Sequence, residues 1–170
     1  QRACQRLAHS SLLTPLGGDL VWVHRWTALA LRDRMGDAPF REGCRRAGEY
    51  RAWRMRYVSR SLVDGVEATR RFLEATVFDR AAQEGLGILD FMKRYGQLVD
   101  LAAFAGEMLA SFPQENYSYL VIADHYAGAL ENLGDIGEAL NMYRRILAIL
   151  QGRVQAEPQR ADYQRDLSVS

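Results

Sequence analysis

Apolar residues recur at three- and four-residue steps over most of the 170 residues, which predicts a chain built mainly of amphipathic helices. The clearest case is 117–151. Tyr119, Ile122, Ala123, Tyr126, Leu130 and Leu133 give one helix an apolar face, and Ile136, Ala139, Leu140, Tyr143, Ile146, Leu147 and Leu150 give a second helix another. Gly134 suits the left-handed residue that ends the first, and Asp135 suits the N-cap of the second, so an antiparallel pair is expected. Leu140 is placed on the face that meets Tyr126 and Leu130.

Earlier stretches follow the same rule. Leu98, Leu101, Ala102, Ala105, Met108, Leu109 and Phe112 mark one helix; Phe78, Ala81, Gly85, Ile88, Leu89 and Met92 mark another; Leu62, Val66, Phe72 and Leu73 mark a third. Gly96 separates the first two of these as Gly134 separates the later pair, 38 residues on, a weak internal repeat. Within 78–92, Gly85-Leu86-Gly87 lowers helix propensity by roughly 1 kcal/mol per glycine, and close helix packing is the reason expected for them. A helix over 38–58 carries Phe40, Cys44, Ala47, Tyr50, Trp53 and Tyr57 on one side. Before it, the apolar runs 11–14 and 20–23 flank Pro15-Leu16-Gly17-Gly18-Asp19, the pattern of a β-hairpin. Pro158 opens a last helical stretch through Tyr163 and Leu167.

With 48% hydrophobic residues the chain is expected to fold. No apolar run approaches the roughly 18 residues of a membrane span, and no leader pattern opens the sequence, so a cytoplasmic location without a membrane partner is expected. The net charge of +1 hides an asymmetry: residues 1–60 hold twelve Arg against five acidic residues, and 61–170 hold ten cations against sixteen. Arg on solvated helix faces accounts for the basic first third, and a nucleic-acid partner is not expected. Cys4 and Cys44 lack ligand spacing and read as two reduced thiols, Cys44 buried. His9, His24 and His125 share no metal-binding spacing. Gly17-Gly18 is no phosphate loop, and Ser10, Ser11 and Ser118 lack a nucleophile elbow, so the expectation is a non-enzyme with no metal and no cofactor of its own. The missing initiator Met and the end in Asp-Leu-Ser-Val-Ser read as a slice of a larger protein.

Residues 117–151 resemble a tetratricopeptide unit, with Gly134-Asp135 at the turn, Ala139 at the small position of the second helix and Tyr143 at its aromatic position; Tyr126-Ala127 and Gln151 depart from the usual Leu-Gly and Pro. The resemblance implies an all-α, TPR-like α-solenoid of antiparallel helix hairpins with a short N-terminal β-hairpin. It also implies that Val121, Asp124, Gly128, Glu131 and Asn132 line a groove for a protein or peptide ligand. Asp124 and Glu131 there favour a basic or neutral ligand, since the cations of a carboxylate clamp are absent.

Residues 3–35 resemble the end of the winged-helix domain of bacterial STAND ATPases, the class of NB-ARC proteins, because Val23-His24-Arg25 falls where a Met-His-Asp-like motif meets the next helix. That implies a His24 that senses ADP phosphate, with Arg25 in the place of the usual Asp; ADP or ATP would then belong to the longer parent. The expected organisation is the end of a winged helix with a β-hairpin wing at 1–35 and a helical linker at 36–75. A degenerate repeat hairpin follows at 76–115, a full one at 116–155 and the start of another at 156–170. The implied role is a protein–protein interaction and regulatory scaffold, the sensor region of a STAND-type signalling ATPase. Two other readings stand beside it: a stand-alone tetratricopeptide adaptor, and a winged-helix DNA-binding regulator acting through residues 1–26.

Overall fold

The structure, a computed structural model, describes the backbone of residues 13–17 and 20–23, and backbone and side chains of 30 and 32–156. Two compact units result, Gln1–Gly43 and Cys44–Ser170.

In the first unit, β1 (Leu13–Gly17) pairs antiparallel with β2 (Leu20–Val23), Leu13 opposite Val23 and Gly17 opposite Leu20. β1 runs farther than the apolar run 11–14 suggested. It includes Pro15, which a two-stranded sheet tolerates because both strands are edges, and the register shifts between Pro15 and Gly17. Residues 32–35 are helical, Gly36 takes a positive φ of 74°, and the Arg32 guanidinium lies 4.7 Å from the centre of the Phe40 ring. The unit boundary falls inside α1 (Asp37–Arg54), which continues into a π-helical turn, Met55–Ser59.

The second unit is helical: α2 (Leu62–Glu74), α3 (Phe78–Arg94), α4 (Leu98–Ser111), α5 (Tyr117–Leu133) and α6 (Ile136–Ala156). Three of its turns share one chemistry. Thr76, Gly96 and Gly134 each adopt a positive φ. Their N–H groups reach back to Leu73, Lys93 and Glu131, and the following residues reach Phe72, Met92 and Leu130. This paired 5→2 and 6→1 closure satisfies carbonyls that the helix end would otherwise leave open. Each next helix thus starts within a few residues, antiparallel to the last. The tilted rings of Phe78 and Phe112, 5.4 Å apart, fasten the other end of the α3/α4 pair. Asp135 caps α6, its Oδ1 accepting the Glu138 N–H at 3.4 Å, and Asn116 caps α5 by accepting from Ser118 at 2.9 Å.

From α2 to α6 every helix packs on the next, and α2 also touches α4 as α3 touches α5. The core between them holds Phe72, Leu89, Leu101, Met108, Tyr119 and Ile122, all essentially without solvent exposure. Gly85 is buried in it; a Cβ there would run into the end of the Met108 side chain and come within 3.2 Å of Thr69. Close packing therefore explains Gly85. It does not explain Gly87, which is exposed with open space around it.

Two expectations about faces need correcting. On α1 the buried positions are Cys44, Gly48 and Ala52, whereas Tyr50, Trp53 and Tyr57 are exposed. The small residues win the interior because they let α1 approach α2 closely: a Cβ on Gly48 would stand 2.9 Å from the Phe72 ring. On α6 the buried set is Ala139, Met142, Ile146 and Leu150, while Leu140 is 46% exposed and shares an open stripe with Ile136 and Leu147. The apolar arc of α6 is wider than one neighbour can cover, and Leu140 lies on its uncovered half.

Truncating buried Ile146 to Ala is expected to cost about 2–4 kcal/mol. Leu140→Asp, already in contact with water, is expected to cost less than about 1 kcal/mol. Urea unfolding of both variants checks this, and an equal loss would return Leu140 to the core.

Candidate functional site

The face expected to bind a ligand lies on α5. Val121, Asp124, Gly128 and Glu131 follow one another at three- and four-residue steps, and Asn132 stands four residues after Gly128, so the five share a side of the helix. Val121 and Gly128 are half-buried, and Asp124, Glu131 and Asn132 are exposed. Two of them are engaged within the chain. Tyr143 donates to Glu131 Oε2 at 3.3 Å, and Asn132 donates to the Gly128 carbonyl at 2.6 Å. Burial, followed by Glu131, pushes the Tyr143 phenol above its ordinary pKa. Tyr143 thereby pins the far end of the face to α6, and Asp124 is the face's other exposed carboxylate.

The spacing of residues did not reveal the link that brings α3 alongside. His125 Nε2 lies 3.4 Å from Asp90 Oδ1, with the His125 side chain only 10% exposed and Asp90 68% exposed. With Nε2 carrying the proton toward Asp90, Nδ1 is left as a buried acceptor without a partner among the described residues. Desolvation lowers the His125 pKa, against Asp90 and Asp124, which raise it, and with Lys93, which lowers it further. Asp90 of α3 and Asp124 of α5 are thus the carboxylates that act on the His125 imidazole.

His24 and Arg25, the expected nucleotide sensors, lie outside the described residues, as do Pro158, Tyr163 and Leu167. His24 directly follows Val23, the last residue of β2.

The buried carboxylates of the second unit do not form an acid–base pair, because each is held by cations. Asp64 accepts from the Ser59 hydroxyl at 2.6 Å and from Arg51 at 2.6 Å, with Arg54 Nε 3.3 Å away. The Ser59 bond and the two guanidiniums outweigh burial and hold its carboxyl below the ordinary aspartate pKa. Glu84 accepts from Arg56, and Arg80 stands 3.6 Å off. Cys44, a buried thiol, donates to Glu74 at 3.4 Å. Among the described residues no group of three or more His, Cys, Asp or Glu side chains could hold a metal, and no helix is long and apolar enough to cross a membrane. A shallow cleft lies away from the α3/α5 face, against the end of α6. Its Arg153 donates to the carbonyls of Gln114, Glu115 and Asn116 at 3.0, 3.0 and 3.4 Å.

Neither protein-family models nor curated proteins nor solved structures match this chain.

The depressed His125 pKa fixes a sign. Between the ordinary histidine value of 6.5 and the lower folded value, the unfolded chain binds the proton that the folded chain does not. Stability therefore falls as the pH drops through that window and levels off once the folded ring is also charged. His125→Gln is expected to flatten the fall between pH 7.5 and pH 5, measured by urea unfolding across the range. An unchanged slope would take His125 out of the linkage.

Proposed function

We propose that the chain is a protein–protein interaction segment, a TPR-like solenoid whose successive helix pairs present an α3/α5 groove to a protein or peptide ligand. One observation carries the reading: α3 and α5, one helix pair apart, lie side by side at the Asp90–His125 contact, so that their exposed positions form one surface. A short loop would suffice to place neighbouring helices together; contact between alternate helices as well is what a stack of helix pairs would produce. The bidentate Arg70–Glu107 pair, at 2.7 and 2.8 Å, supports it by linking α2 to α4 in the same way. The open stripe on α6 suits a further helix of such an array.

The groove carries Asp90 and Asp124, so its ligand is basic or neutral. A labelled oligolysine peptide is expected to bind the chain, and Asp90→Arg with Asp124→Arg to weaken that binding about tenfold or more, by charge reversal at two exposed positions. Unchanged affinity would move the binding surface elsewhere.

The β1/β2 pair and the His24-Arg25 that follows it carry the second half of the proposal, that this segment is the sensor region of a STAND-type ATPase with ADP bound by the longer parent. A ligand held only by the closed form stabilises that form. In the intact parent, His24→Ala and Arg25→Ala are expected to speed ADP release and raise basal signalling. Off-rates equal to wild type in both would leave a plain tetratricopeptide adaptor.

A further inference from the structure

The Asp90–His125 contact joins a covered ring to an open carboxylate. Only 10% of the His125 side chain meets solvent, whereas Asp90, 3.4 Å from its Nε2, is 68% exposed. A proton taken up by the ring therefore changes the charge behind a carboxylate that a ligand can reach. Protonation carries a penalty here. An imidazolium donates from both nitrogens, and Nδ1 is covered, with no partner among the described residues. Burial thus favours the neutral ring and lowers its pKa below the ordinary histidine value.

The charges that act on the ring come from two helices. Asp90 and Lys93 face it from α3, and Asp124 stands beside it on α5. α4 and α6, which also pack on α5, contribute none among the described residues. Two carboxylates against one ammonium leave a single negative charge while the ring is neutral, and none once it is protonated. Arg94, one turn past Asp90, and Glu131, held by Tyr143, carry opposite charges and leave that balance as it is. One proton on His125 thus removes the charge excess by which this face attracts a cation.

We propose that His125 is a proton gate on the α3/α5 groove: the groove holds a basic segment of a partner protein while the ring is neutral and releases it when the ring is protonated. The gate rests on the groove reading given above and adds its regulation. The imidazolium Nε2–H competes with the ligand's cation for Asp90, because a charge-assisted bond is stronger than the one a neutral ring makes. Linkage runs both ways. A cation settled on Asp90 takes up the carboxylate that favours the charged ring, so ligand binding expels a proton from His125. Affinity is full while the ring is neutral. It falls as the pH drops from the ordinary histidine value through the lowered value of the folded ring, and it levels off beneath that.

The test titrates the full chain with labelled oligolysine, by fluorescence anisotropy at constant ionic strength, from pH 7.5 down to pH 5.0, with circular dichroism confirming the fold at each pH. Wild-type affinity is expected to fall at least about fivefold over that range. His125→Gln, whose amide can donate to Asp90 but takes up no proton, is expected to change by less than about twofold. His9 and His24 are present in both proteins, so the difference between them belongs to His125. NMR of the His125 ring gives a second readout: its pKa is expected to drop when the chain is saturated with oligolysine. Absence of binding at pH 7.5 would overturn the groove and the gate together. Binding that falls equally in wild type and His125→Gln, or a ring pKa that oligolysine does not move, would leave the groove standing and overturn the gate.

Discussion

Helices with apolar arcs wider than a single neighbour can cover dictate this structure. α3 must bury Ala81, Gly85, Ile88, Leu89 and Met92, and it does so against α2 on one side and α4 on the other, with α5 beyond. Side-chain ties repeat the same step along the chain. Arg70 reaches Glu107, His125 reaches Asp90, and Arg153 reaches the carbonyls of 114–116, each across 35 to 39 residues. The polar bonds are mostly exposed and individually weak. Their value is registry: they fix which turn of one helix stands beside which turn of another, while the apolar core supplies the energy.

How much of this was legible follows from where the information sits. The turn at Gly134-Asp135 could be read because left-handed backbone and N-capping are local demands that a few residue types meet. Thr76 makes the same left-handed closure with a residue that has no such preference, φ 57°, and so gave no signal. The faces of α3 and α4 were read well because they are buried on two sides. Those of α1 and α6 were not, because periodicity identifies an apolar side without saying whether anything covers it. In α1 the usual inference inverts: the interior takes Cys44, Gly48 and Ala52, and the large rings are left out.

The five positions on α5 came from the tetratricopeptide resemblance, and their spacing along the helix puts them on one side of it. What spacing could not supply was the neighbour. Asp90 and His125 are 35 residues apart, and nothing local to either marks the other. Equally invisible were the Tyr143–Glu131 bond and the doubled guanidiniums on Asp64 and Glu84, since pairing between charges on separate helices depends on packing angles that the core decides.

The uncovered half of α6 has a consequence for growth and size. A barrel or a closed bundle is complete at a fixed number of elements, and an added one must displace another. Here Ile136, Leu140 and Leu147 face outward beside a core that is already satisfied. A further helix with a matching stripe could join without disturbing those beneath it, and would in turn expose its own far side. In the solenoid we propose, the packing rule therefore contains no stop, so the length of such an assembly is set by whatever caps its last apolar edge and not by the geometry of its interior.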